Sequence, residues 1–176
     1  MTLNELCNVT MGEFIKKTLQ DDSYDFPVYN GGATPTGYYS KSNAPEKSVV
    51  ISARGSIGVV NFVLSKSWIG NSCFLVRVKD ADLDNRFMYH FLKKSEPELY
   101  SRRTVGTLPA LNMKPVKDFL VPVPTLDEQQ RIAVILDYFD SLVNDISIGL
   151  PAEIKARRQQ YEYYRDQLLS FKELAA

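Results

Sequence analysis

Apolar residues fall alternately four and three apart through the C-terminal third of the chain, at Ile132, Leu136, Phe139, Val143, Ile146 and Leu150. This alternation marks the seam of a coiled coil rather than the broad face of a core helix. After Gly149-Leu150-Pro151 the pattern resumes at Ile154, Tyr161, Tyr164, Leu168 and Phe171, with Arg157 in the one vacant seam position. Two long helices are predicted. The first starts near Thr125 or Asp127, whose side chains can cap free N–H groups, and Glu128 in its first turn complements the helix dipole. Gly149 suits its end, and Pro151 suits the first turn of the second helix. At 1.5 Å per residue each helix is on the order of 30 Å long. So much helix exceeds what one compact domain of this size needs, and the segment reads as a device for holding a partner.

Upstream of Pro124 the pattern changes to short β-rich runs. Phe26–Tyr29, Ser48–Ser52, Val59–Val63 and Ser72–Val78 read as strands. Asn30-Gly31-Gly32, Gly37, Gly55-Ser56-Ile57-Gly58 and Gly70-Asn71 separate them as turns. One helix is predicted from about Asp84, as cap, to Leu99, with Phe87, Phe91 and Leu92 on one face. Residues 102–114 read as irregular. Val121-Pro122-Val123-Pro124 is stiff and extended and marks a boundary. The expectation is an α+β chain. A strand-rich domain occupies residues 1–124, and coiled-coil-like helices occupy residues 125–176.

Composition fits that picture. The chain has 176 residues, 44% of them hydrophobic and 24% charged, which is globular rather than disordered. No run approaches 18 apolar residues, so no membrane span is expected. The N-terminal residues lack a basic and then apolar leader pattern. Cys7 and Cys73 are far apart and outside any CxxC, as in a reduced, cytoplasmic protein. Net charge is zero, but it is unevenly spread. Residues 1–126 carry 15 Lys and Arg against 12 Asp and Glu, an excess of three. Residues 127–146 carry five acids and one Arg, and residues 151–172 carry five bases and three acids. The opposite bias of the two helices suits antiparallel contact between them or between copies. Exposed pairs of this kind contribute little individually.

Catalytic chemistry is largely missing. The one histidine, His90, sits on a predicted helix between Tyr89 and Phe91, where a structural role is the commoner one. There is no HExxH, CxxC pair or His cluster to hold a metal. No Walker A sequence occurs. Gly55-Ser56-Ile57-Gly58 joins two strands instead of opening a helix, so it fails as a dinucleotide site. No Asn-Pro-Pro-Tyr-like tetrapeptide of an amino-methyltransferase is present. Glu153-Ile154-Lys155 matches the end of a nuclease pattern but falls on a helix. No cofactor and no metal are expected.

What remains is a binding surface in three stretches. The first holds Tyr29, Asn30, Gly31, Gly32, Thr34, Tyr38 and Lys41, small polar and aromatic groups beside glycines that allow close backbone approach. The second holds Arg54 and Ser56 in a tight turn, with Asn71 following later. Arg is suited to bidentate contact with guanine or phosphate. Arg54 is a phosphate anchor, a base reader or the partner of a carboxylate. The third stretch holds Arg103, Thr104, Thr107, Asn112 and Lys114. An ordinary loop-rich surface would share this composition, and composition alone does not separate the two.

Three longer motifs carry a resemblance. They are Phe26-Pro27-Val28-Tyr29-Asn30-Gly31-Gly32 with Gly37-Tyr38, then Val50-Ile51-Ser52-Ala53-Arg54-Gly55-Ser56-Ile57-Gly58 with Asn71-Ser72-Cys73, and Gly106-Thr107-Leu108-Pro109-Ala110-Leu111-Asn112. The last leads into Val121-Pro122-Val123-Pro124 and Glu128-Gln129-Gln130-Arg131-Ile132, and Gly149-Leu150-Pro151-Ala152-Glu153-Ile154 strengthens it. Over nearly its whole length the chain resembles the DNA specificity subunits of type I restriction-modification systems. It departs from many of them in placing Leu108-Pro109 where they carry a polar residue. Such subunits usually have two target-recognition domains and two helical regions, and this chain has one of each. The resemblance implies a non-catalytic half-subunit whose front domain reads double-stranded DNA. It also implies pairing with a second copy through the helices, and docking of methyltransferase subunits and, through them, restriction subunits. The alternative is an assembly or decoy protein that titrates partners without binding DNA. The small charge excess predicts weak DNA affinity for the chain alone.

Overall fold

The computed structural model describes residues 1–141 together with Gln159 and Gln160. The seam positions Val143, Ile146, Leu150, Ile154, Tyr161, Tyr164, Leu168 and Phe171, and the break at Gly149 and Pro151, lie outside the described residues. The chain divides into two compact units, Met1–Ala133 and Val134–Ala176.

The first unit is α+β. Its strands are β1 (Cys7–Met11), β2 (Phe26–Tyr29), β3 (Tyr38–Tyr39), β4 (Ser48–Ser52), β5 (Val60–Val63), β6 (Trp68–Ile69) and β7 (Cys73–Val78). Its helices are α1 (Leu3–Leu6), α2 (Asn85–Lys94), α3 (Glu96–Ser101) and α4 (Met113–Lys117). A further helix, α5, covers residues 126–141 and so runs past the boundary between the units. An antiparallel sheet has the order β1-β7-β4-β5, and a smaller sheet has the order β3-β2-β6, with β2 and β6 parallel.

The two central strands explain the layering. All five residues of β4 are buried, so the larger sheet is covered on both faces. Side chains alternate between those faces with a period of two. Val49 and Ile51 of β4 join Phe74 and Val76 of β7 in one core with Leu3, Met88, Leu92, Val116 and Phe119 from the helical side. Val50 and Leu75 point the other way, into a second core with Ala44, Ile69 and Cys73. The smaller sheet contributes to that core through Ile69 and the half-buried Tyr29.

Four of the strands fall within a residue of their sequence positions. The expected single helix over residues 84–99 is instead two. Asp84 caps α2 as expected, accepting the Phe87 N–H at 2.7 Å. The helix closes at Ser95, whose N–H and hydroxyl both donate to the Phe91 carbonyl. Pro97 has no N–H to continue the ladder and opens α3 instead. Besides the two-residue strands β3 and β6, three elements were not foreseen. α1 carries a capping box in which Thr2 and Glu5 bond reciprocally. β1 follows it directly and pairs with β7. α4 begins at the end of the stretch read as irregular and runs on to Lys117.

The root of α5 is fixed by one side chain. Gln129 is fully buried. Its Oε1 accepts the Asp84 N–H at 2.8 Å. Its Nε2 donates to the carbonyls of Asp82 at 3.1 Å and Pro124 at 2.9 Å. The amide therefore ties the first turns of α5 to the entrance of α2 and to the preceding proline. Ala133, one turn on, is also buried. Gln129→Ala would strand a buried donor and two buried acceptors, and we expect a loss of about 2–4 kcal/mol in urea denaturation. A loss below about 0.5 kcal/mol would refute the clamp.

Both cysteines are buried and free. Burial pushes the Cys7 thiol up to about 12, against a small opposing pull from Lys79. Its folded pKa lies above the unfolded value, so the folded chain keeps a proton that the unfolded chain releases. That contribution to stability is complete below about pH 8 and falls as pH rises from about 9 towards 12. The slope is at most about 1.4 kcal/mol per pH unit for this thiol. Denaturation curves collected across that range should be steeper for the native chain than for Cys7→Ala, and equal slopes would contradict this account.

Candidate nucleic-acid interface

Three turns that are distant in sequence meet at one end of the strands. β2 ends in Tyr29 and the chain turns through Asn30-Gly31-Gly32. β4 ends in Ser52 and turns through residues 53–59. β6 ends in Ile69 and turns through residues 70–72 into β7. Backbone bonds knit them together. Ser72 O accepts the N–H groups of Ala53 at 2.7 Å and Arg54 at 3.2 Å. Ser56 N donates to Gly31 O and Gly70 N donates to Tyr29 O, each at 2.8 Å. Side chains add to the knot. Asn30 Oδ1 accepts from Ser72 N at 3.1 Å, and Asn61 Nδ2 donates to Gly32 O at 2.9 Å. Gly31 N points at Cys73 Sγ, 3.0 Å away. Burial raises the Cys73 thiol, and the Gly31 N–H opposes that rise.

Two glycines are required here. Gly31 has φ +95°, and a Cβ on it would lie 2.6 Å from Arg54 O. Gly55 has φ +71°, and a Cβ on it would run into Gly31 O. The two turns can approach this closely only because neither carries a side chain.

The knot gathers Tyr29, Asn30, Gly31, Gly32, Arg54, Ser56 and Asn71. Arg54 is exposed. Among the described residues its guanidinium has one hydrogen bond, to the Asn71 carbonyl at 3.4 Å. No carboxylate pairs with it there, so the structural ion pair loses support against the two ligand-facing roles. Tyr29 is half-buried, and its phenol is raised by burial and then by the neighbouring Tyr38. Tyr38 lies opposite Pro27 on β3. Thr34 and Lys41 are exposed, and none of the bonds that tie the knot involves them. The third stretch abuts the knot at one point, where Leu111 N donates to Ala53 O at 2.8 Å. Arg103 stacks on the Tyr100 ring, 3.8 Å from its centroid. Thr104 closes a loop on Ala110, and Thr107 is exposed on that loop. Asn112 precedes α4 and is exposed, and Lys114 is paired with Asp118.

Sequence reasoning missed Ser72, Gly70 and Cys73 as organisers of the site. Gly70 is there because a Cβ would collide with the Asn30 side chain. The Asn71-Ser72-Cys73 motif was the available signal.

The first unit thus brings amide, hydroxyl and guanidinium groups from distant turns to one edge. Such groups bond phosphates and base edges. Comparison with known proteins shows the family. Residues 1–156 match the type I restriction modification DNA specificity domain. The chain is 34% identical over 162 residues to the specificity subunit of the type I restriction enzyme EcoR124I/EcoR124II of Escherichia coli, covering 88% of this chain and 39% of that one. It is 35% identical to a putative type I restriction enzyme specificity subunit of Haemophilus influenzae, covering 96% and 47%. The crystal structure of a type I restriction-modification S subunit from M. genitalium shares the fold, with a TM-score of 0.75 and 24% identity over 98% of this chain and 46% of that one. The chain belongs to the type I restriction-modification DNA specificity family. That family comprises the specificity components of these systems, and the chain spans less than half the length of these relatives.

Gly31→Ala should cost about 1–3 kcal/mol, because the backbone is held at positive φ and the new Cβ meets a carbonyl. Gly32→Ala, whose Cβ would lie 3.5 Å from its nearest neighbour, should stay within about 0.5 kcal/mol. Equal melting of the two variants would show that the close approach is not a constraint.

Proposed function

We propose that this chain is a one-half DNA specificity subunit that reads a short half-site with the knotted edge of its first unit. The observation that carries the reading is the meeting of residues 29–32, 54–56 and 70–72, held by bonds that leave Arg54 exposed. Membership of a DNA specificity family supports double-stranded DNA as the ligand of that edge. The chain contributes the address and no chemistry of its own, and methyltransferase subunits supply catalysis and cofactor. Restriction subunits join through them. The site of action is then the cytoplasm, where the DNA is. No helix among the described residues is long and apolar enough to cross a membrane.

Two copies pair through their helices to supply the second half-site. Support comes from seam positions Leu136 and Phe139, which are 37% and 56% exposed on the single chain, next to exposed Val134, Ile135 and Tyr138. An apolar row of this kind stays in water only while its partner is missing. Ile132, the first seam position, is half-buried. A pair of identical chains has two-fold symmetry, so the target is a bipartite palindrome whose spacer is set by the helices. The pair of helices also forms the dock for the methyltransferase subunits.

Two measurements test this. Methylome sequencing of a host expressing the chain with its methyltransferase should return a symmetric bipartite motif. An asymmetric motif from this chain alone would sink the homodimer. Leu136→Asp or Phe139→Asp should convert a dimer to a monomer in sedimentation, because a buried unpaired charge is costly. A variant that stayed dimeric would place the seam elsewhere.

A further inference from the structure

The loop from Thr104 to Ala110 carries a feature that DNA binding by the knot does not use. Its neck is stapled three times. Thr104 N donates to Ala110 O at 2.8 Å, Thr104 Oγ1 donates to the same carbonyl at 3.1 Å, and Ala110 N donates back to Thr104 Oγ1 at 3.0 Å. One residue further on, Leu111 N is bonded to Ala53 O, at the base of the Arg54 turn. Pro109 stiffens the returning arm. Out of this fixed neck stand two aliphatic side chains, Val105 at 94% exposure and Leu108 at 88%. Between them, a Cβ placed on Gly106 would meet nothing within 4 Å.

A held neck and an apolar tip are an unusual pairing. Exposed aliphatic groups gain nothing from water, and a rigid neck presents them at little entropic cost on binding. Charge indicates the occupant. Residues 99–117 hold Arg102, Arg103, Lys114 and Lys117 and no acid. Arg102 and Lys114 are offset by Glu98 and Asp118 just outside that stretch. A basic setting with a two-residue apolar tip suits a polyanion that displays small apolar groups. It falls well short of the ~800 Å² that each partner buries in a stable protein interface. Two residues lie between Leu108 and Leu111, three Cα steps and at most about 11 Å of chain. The tip is therefore tethered within roughly 20 Å of the Arg54 turn, a span of about six base pairs along a duplex. The major groove displays one apolar group, the thymine 5-methyl, and aliphatic side chains read it by contact.

We infer that Leu108, flanked by Val105, is a specificity-determining contact to a thymine methyl in the half-site read beside Arg54. This rests on the DNA-reading function proposed above and names one base class within it.

The test uses the full chain assembled with its methyltransferase subunit and duplexes carrying the motif found by methylome sequencing. Each thymine of the half-site is replaced in turn by deoxyuridine, which lacks only the methyl. One replacement should weaken binding by the native chain about fourfold, the worth of one methyl withdrawn from water. The double variant Val105→Ala/Leu108→Ala should bind the thymine duplex as weakly as the native chain binds the uracil one, with a thymine-to-uracil ratio near one. Its melting temperature should be unchanged, since both side chains are in solvent. The scan of the native chain needs no variant, so it decides the matter even if the variant misfolds. A half-site without thymine, a silent scan, or a double variant that keeps the methyl dependence would overturn the inference. So would loss of methyltransferase binding with the methyl dependence intact, which would make the tip a protein contact. A clear motif with a silent scan removes the tip contact alone, whereas a methylome with no motif removes the DNA-reading function beneath it as well.

Discussion

A side chain on Gly31 would run into the Arg54 carbonyl, and one on Gly55 would run into the Gly31 carbonyl. The absence of both side chains lets the turn after β2 lie against the turn after β4. The Ser72 carbonyl then binds two successive N–H groups of the second turn, and Asn30 closes the first turn onto Ser72. Remove the close approach and the three turns are ordinary loops on three strands. With it, their backbone groups are satisfied internally, and a few side chains are left to face outwards. Arg54 belongs to that remainder. A guanidinium on a rigid turn loses little freedom on binding, so a contact of modest strength can discriminate between sequences.

Gln129 plays the corresponding part for the helix. A buried amide with one acceptor and two donors used is a polar group whose burial is compensated at each bond. An aliphatic residue of similar size would pack there but would leave the Asp84 N–H and two carbonyls unanswered. The chemistry of glutamine is thus dictated by three backbone groups from two other parts of the chain. This is a structural reason for Glu128-Gln129-Gln130-Arg131-Ile132 that does not involve DNA at all. Glu128 and Arg131 in the same motif pair with one another in solvent, which lowers the carboxyl and raises the guanidinium. So exposed an ion pair adds little, and the buried amide carries the motif's structural weight.

The sequence made the long strands legible because their apolar runs are unbroken and their flanks are glycines. β4 and β7 are buried on both faces, and such strands announce themselves. It did not reveal β3 and β6, two residues each, because their pairing with β2 is decided by tertiary contact and not by local propensity. α1 was legible in principle through the Thr2-Leu3-Asn4-Glu5 capping box, but a helix of four residues has no periodicity to support it. α2 was read too long because its apolar face continues past Ser95 to Leu99, while the break comes from Pro97. At the candidate site, the glycine-rich turns were legible as turns. That they converge was not, since Ser72 and Cys73 look like an ordinary strand start. Lys41 and Thr34 were chosen for their chemistry, and the bonds that build the knot pass them by.

The physical division of labour within the chain follows from where flexibility is removed. Recognition needs few groups held still, and here the stillness comes from backbone bonds between turns, backed by two cores that bury the central strands on both faces. Assembly needs apolar surface left uncovered, and residues 134–139 provide it on a helix whose root is already anchored at Gln129 and Ala133. The reading surface and the apolar row thus draw on different residues and different forces. Changes to side chains on the turns need not disturb the helix, and changes to the seam need not disturb the knot. On the proposed function, a module built this way would alter what it reads by substituting outward-facing side chains such as Arg54 or Leu108. The glycines, Ser72 and Gln129 must stay, because they hold those side chains in place.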